Sequence, residues 1–397
     1  MSLSNHRGLL RCASVAFAVV MSLGLVSCSS SSTDKGGTDK STGAQASDGV
    51  DLGPGGEKVV DIIEAKMKEL DLTGAVYGVW RGDDVVAVGG LGDSPVGVRA
   101  NVDMQVRIGQ PMEPMLSTVL LQLDGEGVLK QDEPIAKYLP DFPRADKITP
   151  RMLADSTSGI SDYVTDPDWN KAFYANPFKG FTADELLGYA NARPPVFEPG
   201  TNFGYAHSDL VLLGEVLQKA TGKKLGDLIQ ERILDPLAMK HSKVMLTPQI
   251  FDPIFHGYTN ERGVFEDSSF WNPTAFLHSG NMNTTVGDVA TWIRALMSGK
   301  VLSKEQFSAM MEPSTAGIGP FTKSKFFAYG VVHDGDWIFM NPAYGGYHGA
   351  VYYDTTSKTL VIVYCSLGPK SDASVDNALP IGKAIATELV PDRPPTM

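Results

Sequence analysis

Residues 197–225 read FEPGTNFGYAHSDLVLLGEVLQKATGKKL, and the rest of the chain can be interpreted outward from this stretch. Within it, Leu210–Ala220 places apolar residues at helical spacing, which predicts an amphipathic helix. Gly222 follows at the position where such a helix would end, and glycine is the residue that most often closes a helix. The centre of the chain is therefore predicted to contain packed helices.

The segments on either side carry helix and strand patterns in a definite order. Strand patterns stand near both ends of the chain, around a helix-rich middle, so we expect the two termini to share one sheet. The predicted elements are a helix over Glu57–Leu70, a hairpin of GAVYGVW (74–80) and VVAVGG (85–90), helices over Met112–Leu123 and Val289–Met297, strands GAVYYD (349–354) and TLVIVYC (359–365), and a closing helix around Ala378–Leu389.

Residues 1–27 are predicted to be an export signal. Arg7 and Arg11 form a basic head, and the uncharged stretch Ala13–Val26 follows. This stretch is shorter than the ~20 residues that a membrane-spanning helix needs, so it is typical of a signal peptide. The signal ends Leu-Val-Ser-Cys at 25–28, which resembles the bacterial lipobox and implies a diacyl lipid on Cys28. The alternative is a plain signal peptide with an incidental cysteine.

Residues 28–50 are predicted to be a disordered tether between the lipid and the folded domain. The stretch is almost purely Ser, Thr, Gly, Asp and Lys, a composition that cannot collapse onto a core. Its root-mean-square reach would be about 25 Å. We therefore expect a single domain over 51–397, with a helical lobe at about 110–300, outside the cytoplasm and lipid-anchored to the cell membrane.

Composition and missing motifs exclude several classes of function. The formal net charge of −12 argues against nucleic acid as a partner. Three cysteines cannot build a disulfide framework, and Cys365 lies in an apolar run that predicts a buried strand residue. The chain has no Gly-x-Ser-x-Gly, His-Glu-x-x-His or P-loop motif and no paired Cys or His at metal spacing, so no metal and no cofactor are expected.

Several ordered stretches between about residues 57 and 390 resemble the serine β-lactamase and penicillin-binding-protein superfamily, in its class C, D-alanyl-D-alanine carboxypeptidase and esterase branch. The resemblance implies an α/β (α+β) fold of the β-lactamase/transpeptidase type: an antiparallel sheet flanked by helices, plus a helix-rich lobe. The stretches are LLQLDGEGVLKQDEPIAKYLPDFP (120–143), ITPRMLADSTSGISDY (148–163), the opening stretch 197–225, ERILDPLAM (231–239), NTTVGDVATWIRALMSGKVLS (283–303), AYG (328–330) and GYHGAVYYDTTSKTLVIVY (346–364).

The family's catalytic tetrad is replaced in this chain. In the family, Ser-x-x-Lys opens the first long helix; the serine attacks a carbonyl and the lysine takes its proton. The resemblance puts this tetrad at Gln110-Pro111-Met112-Glu113. Gln110 cannot form an acyl-enzyme, and Glu113 puts a carboxyl group where the family has a cation. With Glu113 ionised, we expect the site to repel carboxylate substrates.

The other two motifs are also altered. The Tyr-x-Asn motif falls on Tyr205-Ala206-His207, so Tyr205 is kept and His207 replaces the substrate-binding Asn. The Lys- or His-x-Gly strand motif falls on Met340-Asn341-Pro342, which lacks the cation that holds a substrate carboxylate. A shifted alignment on His348-Gly349 is the second choice. The family's His-Thr-Ser-Gly element has Ser156 where the His would be.

These replacements predict a binding or scaffold protein that is catalytically inactive by the family mechanism. Its partner would be a small neutral or cationic ligand or an envelope protein. We expect Gln110, Met112, Glu113, Tyr205, His207, Met340 and Asn341 to line the ligand pocket, with Trp337 as a possible wall. The alternative is a serine hydrolase or esterase with a displaced nucleophile, such as Ser156 beside His207, although no third group that would orient His207 is visible. Ser117 and Ser158 are predicted to be structural.

Overall fold

The computed structural model describes residues 50–397. The predicted signal at 1–27 and the predicted tether at 28–50, including Cys28, lie outside the described residues, apart from Val50. Among residues 50–397, no helix is both long enough and apolar enough to cross a bilayer.

A large antiparallel sheet forms the framework of the molecule. Its strands follow the order β1-β3-β2-β14-β13-β11-β10-β9, and β12 pairs with the start of β13. Two small sheets, β4-β8-β5 and β6-β7, lie apart from it. The strands are β1 (Asp51–Leu52), β2 (Leu72–Arg81), β3 (Asp84–Gly92), β4 (Val106–Arg107), β5 (Lys243–Val244), β6 (Tyr258–Thr259), β7 (Glu266–Asp267), β8 (Met282–Thr284), β9 (Lys325–Ala328), β10 (Val331–Asp334), β11 (Trp337–Met340), β12 (Ala343–Tyr344), β13 (Tyr347–Asp354) and β14 (Thr359–Leu367).

The chain termini meet at the centre of this sheet. Strand β14 pairs antiparallel with β2 over nine residue pairs from Thr359↔Arg81 to Leu367↔Leu72. All nine residues of β14 are buried, as expected for a strand covered on both faces. The prediction of one sheet shared by both termini is confirmed, and so is the buried position of Cys365.

Helices cover both faces of the sheet. Helices α1 and α10 pack against each other and against β2, β3, β13 and β14, while α8 packs on β2 and β14 from the lobe side. The helices are α1 (Gly56–Leu70), α2 (Glu113–Gly125), α3 (Pro150–Ala154), α4 (Pro167–Ala175), α5 (Ala183–Asn191), α6 (His207–Thr221), α7 (Leu225–Ile229), α8 (Val286–Met297), α9 (Lys304–Met310) and α10 (Leu379–Leu389). The helices predicted from periodicity are all present, within a few residues of their predicted bounds.

Helix α2 runs through the centre of the lobe and begins against the sheet. All its residues from Glu113 to Leu121 are buried, which explains why its sequence is apolar on nearly every side. The turn that precedes α2 is fixed by two side chains from other elements. The Tyr364 hydroxyl donates to the Ile108 carbonyl (2.9 Å), and the Trp292 indole N–H donates to the Pro111 carbonyl (2.9 Å). The beginning of α2 is therefore held in a fixed position beside strand β11.

Candidate functional site

Gln110 closes the slot between α2 and the strand β11. It begins a short 3-10 turn, Gln110–Met112, that leads into α2, and its side chain is only 7% exposed. The backbone N–H of Asn341, directly after β11, donates to Gln110 Oε1 at 2.7 Å. The Asn341 N–H is thus already bonded to one of the protein's own side chains and is not free for a ligand.

Backbone packing makes the same slot narrow. Gly109 adopts φ 61° and ψ −140°, a conformation that only glycine tolerates well. A Cβ atom built on Gly109 would lie 2.6 Å from Pro342 Cβ, so the start of the helix and the end of the strand touch. Together with Gln110, this contact narrows the space between the two elements.

Glu113 lies at the lysine position of the tetrad and is paired with Tyr205. The Tyr205 hydroxyl donates to Glu113 Oε1 at 2.5 Å, while Glu113 Oε2 is buried without a hydrogen-bond partner. Glu113 is 1% exposed, and a Cβ on Gly330, in the turn after β9, would lie 2.8 Å from Glu113 Cβ. The carboxyl group is therefore enclosed on every side.

This enclosure changes the charge expected at the site. Burial raises the pKa of Glu113 well above its usual range; the hydrogen bond from Tyr205 works in the other direction, and the nearby negative charge of Asp162 adds to the rise. Burial and Glu113 likewise raise the pKa of Tyr205. The raised pKa favours the protonated form of Glu113, against the expectation of an ionised carboxylate, and a protonated carboxyl group cannot take a proton from a nucleophile as the family lysine does.

His207 has an orienting partner that the sequence did not reveal. Asp162 accepts a hydrogen bond from the His207 backbone N–H (3.1 Å), and its other carboxylate oxygen lies 3.1 Å from His207 Nδ1. Both side chains are largely buried, with 15% and 13% exposure for His207 and Asp162. The pair fixes the first residue of α6, and it leaves Nε2 as the ring nitrogen directed away from Asp162. The expectation that no group orients His207 is therefore wrong.

The three candidate serines differ in their surroundings. Ser117 is fully buried, and its hydroxyl has no partner. The Ser158 hydroxyl donates to the buried Asp209 carboxyl (2.5 Å) and accepts from the Ile160 N–H, so it fixes a loop. Ser156 sits at φ 53° in the left-handed region and is 1% exposed. Within residues 50–397, no hydrogen bond joins Ser156 to His207.

The methionines expected to wall a pocket are core residues instead. Met112 and Met340 are both fully buried. Trp337 lies on the other face of the sheet, where its ring contacts Tyr352 and its indole N–H donates to the Arg393 carbonyl. Apolar side chains at these positions gain more by joining the core than by lining an opening. The structure thus brings the motif residues together but leaves only Tyr205, His207 and Asn341 partly exposed.

The geometry favours the first of the two alignments of the strand motif. Asn341 lies next to Gln110, as the Met340-Asn341-Pro342 alignment requires. His348 lies on β13 beneath the start of α10, where its Nδ1 accepts from the Asn377 N–H at 3.0 Å. It is fully enclosed, and burial lowers its pKa to about 4. The His348 side chain therefore points to the α10 face of the sheet, away from the site, although its neighbour Gly349 donates its N–H to the Pro342 carbonyl.

Two cavities lie elsewhere on the molecule. One of about 430 Å³ lies between α2, α9 and Arg232, and one of about 530 Å³ lies beside Gln105 and Phe251. Neither is lined by a motif residue. Within the described part of the chain, no group of three or more His, Cys, Asp or Glu side chains could hold a metal ion.

Comparison with known proteins identifies the same family from most of the chain. Residues 59–382 match the family described as Beta-lactamase. The chain is 24% identical over 257 residues to the putative penicillin-binding protein PbpX of Bacillus subtilis, covering 64% of this chain and 63% of that protein. It is 26% identical over 260 residues to the D-alanyl-D-alanine-carboxypeptidase/endopeptidase AmpH of Escherichia coli, covering 62% and 64%. The matches thus span slightly under two thirds of each of these relatives.

A solved structure extends the likeness to the whole fold. The D-stereospecific amidohydrolase from a Streptomyces species is 26% identical and superposes with a TM-score of 0.72, covering 83% of this chain and 97% of that chain.

Proposed function

The chain belongs to the beta-lactamase family, and within that family we propose that it is a non-catalytic, lipid-anchored envelope protein that acts by binding. One observation carries this proposal: the nucleophile position holds Gln110, whose side-chain oxygen is bonded to the strand N–H of Asn341. Attack, proton transfer and substrate placement all lose their groups at once: Gln110 is no nucleophile, the pKa of the buried Glu113 is raised by burial, and Pro342 packs on Gly109.

The exposed rim of the site suits a neutral or cationic ligand. Tyr205, His207 and Asn341 offer hydrogen-bonding groups, and the carboxylate of Asp162 lies just behind them. No lysine or arginine side chain is part of this set, so an anionic ligand would find no counter-charge there. A small ligand that enters more deeply must displace Gln110 Oε1 from Asn341. An envelope protein could instead contact the rim without any rearrangement.

The anchor is the second part of the proposal. Support comes from the Leu-Val-Ser-Cys sequence at 25–28 and from the polar residues that separate it from the domain. Mass spectrometry of the chain purified from bacterial membranes should find a diacyl lipid on Cys28. An unmodified Cys28, or a signal cleaved at another position, would contradict the anchor.

Intact mass spectrometry also tests the inactive site. The mature chain is incubated with a fluorophosphonate and, separately, with a penicillin, and its mass is measured while thermal unfolding confirms that it is folded. We expect no adduct from either probe. A stoichiometric adduct on one serine would overturn the proposal.

A second candidate function is a serine hydrolase with a displaced nucleophile, favoured by the oriented His207–Asp162 pair. Ser156 is the candidate nucleophile, because Ser158 is committed to Asp209 and Ser117 is enclosed in the core. The reaction would need Ser156 to reach His207 Nε2 after a local rearrangement.

Hydrolysis of a short p-nitrophenyl ester distinguishes the two functions. If the chain is a hydrolase that uses Ser156, ester hydrolysis disappears in both Ser156→Ala and His207→Ala. Ser158→Ala should then lower the stability of the protein more than its rate of turnover. If the chain is a non-catalytic binding protein, any slow background hydrolysis has the same rate in the wild type and in Ser156→Ala.

A further inference from the structure

An exposed apolar surface lies at one end of the large sheet, away from the motif residues. We define the apolar end patch as Val96, Val98, Tyr258, Val264, Phe265 and Phe270. Exposure of the five aliphatic and phenylalanine members is high, at 82% for Val96, 47% for Val98, 57% for Val264, 41% for Phe265 and 40% for Phe270. Exposed side chains of this size are costly unless something covers them, so a grouped set indicates a contact surface.

The members of the patch touch one another and form one surface. The rings of Tyr258 and Phe265 stack at 5.4 Å, and the Val96 backbone lies close enough to the Tyr258 hydroxyl to influence its pKa. His256 connects the two aromatic parts, with ring distances of 6.5 Å to Tyr258 and 6.1 Å to Phe270.

The loop that carries Val96 and Val98 is tied to the same region. The Ser94 hydroxyl donates to the Ile254 carbonyl and accepts from the His256 N–H. The patch is therefore a fixed part of the fold and not a set of unrelated loop residues.

The described chain begins at the same end of the sheet. Strand β1 pairs antiparallel with β3 as Asp51↔Val88 and Leu52↔Ala87, so the chain before Asp51 comes from the side of Gly92. A Cβ on Gly89 would lie 3.0 Å from Val50 Cγ2, which places Val50 on this path. Strand β3 ends at Gly92, only about 10 Å further along, and leads directly into the loop with Val96.

The length of the preceding chain limits how far the domain can lie from its anchor. Residues 29–50 separate Cys28 from β1, and a tether of this length has a root-mean-square reach of about 25 Å. A lipid on Cys28 therefore keeps this end of the sheet close to the bilayer. The inference that follows rests on the lipid anchor of the proposed function.

We propose that the apolar end patch lies against the surface of the bilayer that holds the lipid, with Phe265 and Phe270 in the boundary between headgroups and acyl chains. Aromatic rings with a polar tip, such as Tyr258, suit this boundary, where one end of the ring is apolar and the other is wet. The charges nearby are mixed, with Arg99 and Arg262 close to Asp93 and Glu266 in sequence. The contact should therefore be mainly apolar, it should form on zwitterionic phosphatidylcholine, and added salt should change it little.

Lipid-phase quenching tests this orientation in the full mature chain. Val264→Cys introduces a fluorophore at the patch, and Asp83→Cys introduces one in the hairpin turn at the opposite end of β2 and β3. Selective labelling is possible because Cys365 is fully buried and Cys28 carries the lipid. On phosphatidylcholine vesicles that contain nitroxide-labelled lipid, we expect several-fold stronger quenching at position 264 than at position 83.

Two variants provide the matched comparison. Phe265→Ser with Phe270→Ser, in the Val264→Cys background, should reduce quenching to the level seen at position 83. Val196→Ser changes an equally exposed apolar residue (67% exposed) outside the patch and should leave quenching unchanged. Thermal unfolding checks that both variants are folded, as expected for exposed positions.

The possible failures are distinguishable. A Cys28 without lipid overturns both the anchor and this inference. A lipidated chain that binds vesicles but shows equal quenching at positions 264 and 83 overturns the inference alone. Protection of position 264 from an aqueous quencher without lipid-phase quenching also overturns it, since the patch is then covered by a protein.

Discussion

Glu113 is expected to carry the largest electrostatic change of the site, because the family resemblance places a carboxyl group where the family has an ammonium group. It is 1% exposed, and its neighbour Tyr205 donates the only hydrogen bond found for its side chain within residues 50–397. Burying an ionised carboxylate with so little compensation costs more than keeping it protonated. Burial therefore favours the protonated form of Glu113, and a protonated carboxyl group is compatible with a folded protein at this position.

Glu113→Gln tests the protonation state directly. The folded-state pKa of Glu113 is raised, so its stabilising contribution is fully present below the unfolded pKa of about 4.3 and is lost as pH rises towards the folded pKa. The glutamine keeps an acceptor for Tyr205 but does not titrate. Chemical denaturation from about pH 5 to about pH 7 measures the free energy of unfolding of both proteins. The value for the variant should rise relative to that of the wild type by up to about 1.4 kcal/mol per pH unit.

Glu126→Gln is the matched control, because its expected change in stability with pH has the opposite sign. The hydrogen bond from Arg232 lowers the pKa of Glu126, so its contribution is present above the unfolded pKa and is lost on acidification. This variant should be slightly less stable than the wild type at neutral pH and equal to it in acid. A flat pH dependence of the Glu113→Gln difference would show that Glu113 is ionised in the folded protein.

The single-residue replacements could be read from the sequence, but their partners could not. Gln110 and Glu113 stand out because the tetrad is contiguous. Asp162 and His207, in contrast, are 45 residues apart, and no spacing rule joins a loop carboxylate to a helix start across that distance. Only the folded chain shows that His207 is oriented by Asp162 and that burial raises the pKa of Glu113.

At the scale of elements, the site depends on how firmly the start of α2 is held. Trp292 on α8 donates to Pro111, inside the turn that contains Gln110. Trp292 is fully buried, so loss of this hydrogen bond would leave the Pro111 carbonyl without that donor in the interior.

Trp292→Phe measures how much this hydrogen bond contributes to the free energy of unfolding. Trp271→Phe is the control, because Trp271 is equally buried but its indole N–H has no partner. Both variants lose similar ring volume, so we expect Trp292→Phe to lower the free energy of unfolding by about 1 kcal/mol more than Trp271→Phe. If urea denaturation shows equal losses of unfolding free energy in the two variants, the hydrogen bond does not stabilise the turn.

Long periodic elements were predictable, and short ones were not. The helices α1, α6 and α10 and the strands β2, β13 and β14 carry enough residues for a clear period. Strands β9, β10 and β11 are four residues each and are joined by tight turns, so none shows a period of its own. They form the edge of the sheet that carries Met340, which is why the strand motif could be aligned only through the family resemblance.

At the scale of the whole molecule, the described residues form one body around a sheet to which both termini contribute. Cutting the chain before β1 should therefore leave this body intact, because the fragment keeps β1 and every later element of the sheet. The sequence predicts the boundary from composition alone, since residues 29–50 have few of the apolar side chains that a core needs.

Limited trypsin digestion tests this boundary. Lys35 and Lys40 lie in the predicted tether, whereas the next basic residue, Lys58, lies in α1. We expect rapid cleavage after Lys40 and a resistant fragment from Ser41 to Met397 with an unchanged unfolding temperature. Equally rapid cleavage inside residues 59–390 would contradict a single folded unit.

We propose that the chain keeps the family fold but has lost the family chemistry at Gln110 and Glu113. Intact mass spectrometry can compare fluorophosphonate labelling of the wild type with that of the double variant Gln110→Ser, Glu113→Lys. We expect no adduct on the wild type and an adduct at position 110 of the folded double variant, with Gln110→Ser alone labelled much more slowly because it lacks the base. An adduct on the wild type would overturn the proposal, and so would a folded double variant that stays unlabelled, since these two residues would then not be the reason for inactivity.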